Sequence, residues 1–198
     1  MTGKQKRQLT MFYLFANADG KCSREEEKRL GSIAESFEAA QEDIQEIEEE
    51  VSRVCKGGSD IPAKIIVALD RYENDSSRSF YKTHSRYTMF SEWFMFYDSD
   101  KLFSIWTMIS LGYADTEYSE NEKRIVKHLV EKWEIDSAIV SVMIDTAETM
   151  LALEAKKTWA KSSSMSYDEV NKIIADADAD IKRLYHTVEV TISEADIK

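Results

Sequence analysis

Asn17-Ala18-Asp19-Gly20-Lys21-Cys22-Ser23-Arg24-Glu25-Glu26 returns 96 positions later as Tyr113-Ala114-Asp115-Thr116-Glu117-Tyr118-Ser119-Glu120-Asn121-Glu122. Ala18 falls on Ala114, Asp19 on Asp115, Ser23 on Ser119 and Glu26 on Glu122. Downstream, Leu30, Ile33, Ala34 and Phe37 fall on Val126, Leu129, Val130 and Trp133. In both copies Ser-x-x-Glu stands before a run of helical period. That spacing is a capping box: the Ser hydroxyl accepts the backbone N–H three residues on, and the Glu carboxylate reaches back to the Ser amide. Apolar residues upstream, Met11 to Ala18 and Ile105 to Ala114, end a preceding helix. Each copy is therefore a tight helix-helix turn. Gly20 takes the left-handed conformation cheaply and Thr116 does not, so the first turn is expected to be the more regular.

Working outward from the first copy, residues 4 to 18 read as one helix and Ser23 to Phe37 as the next. A third runs from Ala40 to Cys55, with Ile44, Ile47, Val51 and Val54 as its apolar stripe, and Gly57-Gly58 stops it. Its acids, with those of the helix before it, form either a solvated face or a surface for a basic partner. Asp60 caps a short helix with Pro62 in its first turn, where a missing N–H is harmless. Residues 72–79 are polar and unpatterned and read as a linker.

From Phe80 to Trp106 aromatics crowd the chain. Phe90, Trp93, Phe94 and Tyr97 fit a helical series. Core packing accounts for most of these rings; the surplus, Trp93, Phe94, Phe96 and Tyr97, is a candidate surface for a partner or for self-association. Asp98 or Ser99 caps the helix that ends at Ala114, and Asp136 caps one running from Ile139 toward Trp159. Lys161 to Ser164 reads as a loop. Ser166-Tyr167-Asp168-Glu169 is a third capping box, opening a last helix through Leu184. Thr187 to Ile192 is β-branched and alternating, which predicts a short extended tail able to pair with a strand edge. The whole reads as all-α: a helical bundle of two pseudo-symmetric halves, 1–71 and 80–198, with about seven to nine helices.

Composition limits the functions on offer. A chain of 198 residues that is 43% hydrophobic, with six Gly and one Pro, suits long helices around a core. A net charge of −11 opposes nucleic acid and anionic membrane surfaces alike. No apolar run nears the roughly 18 to 20 residues of a membrane span, and the start does not read as a cleavable signal, so a cytoplasmic location is expected. Cys22 and Cys55 are expected to be free thiols, with Cys22 placed before a helix N-terminus where its pKa can fall. Phosphate loops, His-Glu-x-x-His, Cys-x-x-Cys and Gly-x-Ser-x-Gly are absent from the sequence, and neither His84 nor His128 has a second ligand at metal spacing. Enzymatic chemistry is not expected. The one constellation with chemical content is the repeated carboxylates: Asp19 and Asp115 end their helices and Glu26 and Glu122 begin the next. If the two turns meet, these four offer hard oxygen ligands for Ca²⁺, Mg²⁺ or Mn²⁺; if they do not, they are capping residues.

Phe15-Ala16-Asn17-Ala18-Asp19-Gly20-Lys21-Cys22-Ser23-Arg24-Glu25-Glu26 resembles the signature of the tellurite-resistance TerB-like family, and Gly112-Tyr113-Ala114-Asp115-Thr116-Glu117-Tyr118-Ser119-Glu120-Asn121-Glu122-Lys123 is similar to its matching half without the Gly. The resemblance covers roughly residues 8 to 40 and 104 to 136. It implies an all-helical fold of paired repeats, turn carboxylates that hold a divalent metal, and a non-catalytic module in stress-response or phage-defence systems whose partners are other proteins, some at membranes. The alternative reading is a subunit or regulator of a larger assembly, docked through the aromatic segment, with no metal role.

Overall fold

The computed structural model describes residues 1–56, 60–71, 98–116 and 118–195, and all of their regular structure is helical. The helices are α1 (Gly3–Ala16), α2 (Arg24–Ser36), α3 (Gln41–Cys55), α4 (61–71), α5 (Asp98–Gly112), α6 (Glu120–Lys132), α7 (Ser137–Ser162) and α8 (Tyr167–Glu194). Gly57-Gly58, the polar stretch 72–79 and the aromatic residues from Phe80 to Tyr97, Trp93, Phe94, Phe96 and Tyr97 among them, lie outside the described residues.

The repeat extends into backbone geometry. Ser23 and Ser119 cap α2 and α6 with φ,ψ of −73°,160° and −73°,158°, and both capping boxes are closed. The same helices end alike, on Phe37 (−87°,0°) and Trp133 (−89°,2°). Glu38 and Glu134 then turn left-handed at φ 54° and 55°. Behind them Ala39 N–H donates to the Ala34 carbonyl and Ile135 N–H to the Val130 carbonyl, both at 3.0 Å, the six-to-one bond of a Schellman stop. Ala40 and Asp136 start α3 and α7 at the same 96-residue offset. The correspondence ends with length: α3 has 15 residues and α7 has 26.

At the centre lie α1 and α5, whose C-terminal halves are buried nearly all round, from Met11 to Ala16 and from Leu102 to Gly112. They run side by side in the same direction, because equivalent residues meet. Lys4 pairs with Asp100, and Gln8 donates to Ser104; in both pairs the partners are 96 apart. Around this pair, α2 packs on α1 and crosses to α5, and α6 packs on α5 and crosses to α1. One core includes residues of both halves, among them Phe12, Ile47, Ile65, Ile105, Leu129 and Val188.

Two features depart from the sequence reading. Lys161 and Ser162 belong to α7, and the loop is confined to 163–166. More substantially, Thr187 to Ile192 is not an extended tail but part of α8. Its alternation concealed a helical stripe: Val188, Ile192 and Ala195 face the core. Thr187 and Thr191 satisfy their hydroxyls on the carbonyls of Arg183 and Thr187, both at 3.0 Å, so the β-branched residues sit in a helix without an orphaned polar group. Packing outweighs their strand preference.

Candidate functional site

Because α1 and α5 are parallel neighbours in equal register, the turns that follow them lie at the same end of the molecule. Ala18 N–H donates to the Phe15 carbonyl at 2.9 Å, and Ala114 N–H to that of Leu111 at 2.8 Å. Gly20 and Thr116 both adopt positive φ, 91° and 74°. The first turn closes with Gly20 N–H on the Asn17 carbonyl at 3.0 Å, whereas the Thr116 counterpart to Tyr113 is stretched to 3.4 Å. A β-branched residue holds the left-handed conformation only under strain.

The four carboxylates divide into two kinds. Glu26 and Glu122 are buried, 5% and 6% exposed, whereas Asp19 and Asp115 are exposed above them. In each Glu, Oε2 accepts the N–H of its capping Ser at 2.7 Å, and its own N–H donates to the Ser hydroxyl at 3.2 Å or 3.3 Å. Negative charge acts across the two halves: Asp115 and Asp19 on Glu26, and Glu26 and Asp19 on Glu122. Arg29 of α2 fastens the same junction, donating to the Ser110 carbonyl in the last turn of α5 at 2.6 Å.

Burial dominates the electrostatics. It pushes Glu122 up to about 7, assisted by the negative charges of Glu26 and Asp19 and opposed by the Ser119 hydrogen bonds. Glu26 is raised for the same reasons, its neighbours being Asp115 and Asp19. The positive ends of α2 and α6 offset part of this concentration of negative charge. Cys22 corrects the sequence reading. Its thiol is not activated: half-burial, with Glu26, Glu27, Asp19 and Asp115 around it, pushes it up to about 12. Burial first, and the negative neighbours after it, outweigh the helix N-terminus. Cys22 and Cys55 are both free and line one cavity of about 610 Å³.

Glu26 thus feels the charges of Asp19 and Asp115, and Glu122 those of Glu26 and Asp19. As placed, no three side chains of His, Cys, Asp or Glu among the described residues converge closely enough to hold a metal ion. The donor chemistry suits a hard cation; a ligand cage is not preformed. His128, read as having no metal partner, instead pairs through Nε2 with Asp70 of α4 at 3.0 Å, where Lys132 joins it at 2.6 Å. The first repeat hid one relationship from sequence reading. Tyr118, equivalent to Cys22, lies over Gly112, equivalent to Ala16, so that a Cβ built on Gly112 would stand 2.4 Å from the Tyr118 ring. The second half sets a glycine under a large ring where the first has two small residues, Ala16 and Cys22.

No protein-family model matches this chain, and no curated protein and no solved structure is found similar to it. No helix among the described residues is long and apolar enough to cross a membrane.

Proposed function

We propose that this protein is a non-enzymatic, cytoplasmic interaction module of the TerB-like kind, serving a bacterial stress-response or phage-defence system, and that its paired turns respond to a divalent cation. The observation that carries the proposal is the pair of equivalent buried carboxylates, Glu26 and Glu122, each in a closed capping box and each following a turn with an exposed Asp, Asp19 or Asp115, at the same end of the molecule. Buried like charges are costly unless a proton or a cation neutralises them. At neutral pH Glu122 sits at the balance between those two solutions. Ca²⁺, Mg²⁺ or Mn²⁺ suits such oxygen ligands, with Asp19, Glu26, Asp115 and Glu122 as the residues that would hold it. The ion would neutralise the cluster and fix the two turns relative to each other, and so fix the surface that other proteins read.

Calorimetric titration with Ca²⁺, Mg²⁺ and Mn²⁺, in buffers of different ionisation enthalpy, tests this. Binding of one ion with release of a proton is expected, because a ligating carboxylate must be ionised. Both the heat and the proton release are lost in Glu26→Gln/Glu122→Gln. Absence of binding by all three cations contradicts the proposal.

A further inference from the structure

We draw no further inference here: the strongest candidate, the cavity of about 610 Å³ that Cys22 and Cys55 line together with Tyr13, Glu27 and Glu48, carries none, because burial raises both thiols and no three metal-ligating side chains converge among the described residues, so nothing in the structure shows what would occupy it.

Discussion

Gln8 Nε2 donates to Ser104 Oγ at 3.5 Å, and the two residues are 96 positions apart, so a residue of the first repeat bonds to its own counterpart in the second. Lys4 and Asp100 meet in the same way, so counterparts face each other along the seam between α1 and α5. Gln8 and Ser104 are buried, 4% and 0% exposed, and Ser104 also donates to the Asp100 carbonyl at 2.8 Å. Ser104→Ala leaves the Gln8 amide facing apolar surroundings and is expected to cost about 1 kcal/mol in urea unfolding. Gln8→Leu added to it removes the stranded amide and recovers most of the loss. If the double variant is as unstable as the sum of the singles, the seam is not a coupled polar pair.

Gly112 and Tyr118 make a second coupled pair. Gly112→Ala drives a methyl into the Tyr118 ring and is expected to cost about 1–3 kcal/mol. In a Tyr118→Cys background, which restores the first repeat's combination of Ala16 and Cys22, the same alanine is expected to be nearly neutral. Strict additivity over the four proteins would show that the ring does not occupy that space.

Thr116 holds φ 74° where the first repeat has Gly20 at φ 91°. Thr116→Gly is expected to stabilise the fold by about 1 kcal/mol. Gly20→Ala is expected to do the reverse, since Ile61 Cδ1 stands 3.2 Å from the added Cβ besides the backbone strain. The midpoints of chemical denaturation check both, and a destabilising Thr116→Gly would mean that the threonine side chain contributes more than its strain costs.

Glu122 links stability to pH. Its folded value, about 7, lies above that of an unfolded glutamate, about 4.3. The folded state therefore binds the proton more tightly, and this contribution to stability is complete below the unfolded value and lost as pH rises through the folded one. Glu26 acts in the same direction. Glu122→Gln keeps the capping box, because an amide oxygen accepts the same Ser119 N–H. The variant is expected to match the wild type below about pH 4 and to exceed it by about 2–4 kcal/mol near about pH 8 in a cation-free buffer. Parallel stability curves at all pH values would show that Glu122 is ionised throughout.

Much of the fold was legible because the repeat consists of local signals. Ser23, Ser119 and Ser166 announce helix starts through hydrogen bonds made within four residues, and all three capping boxes are present. The all-helical class followed from the same periodicity. The C-terminal stretch misled because its alternation of Thr and Val is a local strand signal, while what makes it helical, Val188 and Ile192 against a core built mostly from earlier residues, is distant in sequence. Asp19, Glu26, Asp115 and Glu122 were legible as a set, but the burial of Glu26 and Glu122 was not: nothing in Ser-x-x-Glu says that α1 and α5 lie parallel and bring both turns to one end. For Cys22 the helix N-terminus was visible, but not the half-burial that chiefly raises its thiol.

Thermal melting in EDTA and then in Ca²⁺, Mg²⁺ and Mn²⁺, with the Asp19→Asn/Asp115→Asn variant alongside, bears most directly on the paired turns as a cation site. A ligand bound only by the folded state stabilises it by about 2.7 kcal/mol at about a hundred times its dissociation constant. One of the cations is expected to raise the wild-type midpoint with concentration and to leave the variant unmoved. If none of them moves the wild type, or if the variant shifts equally, the four carboxylates are helix-turn architecture and not a metal site.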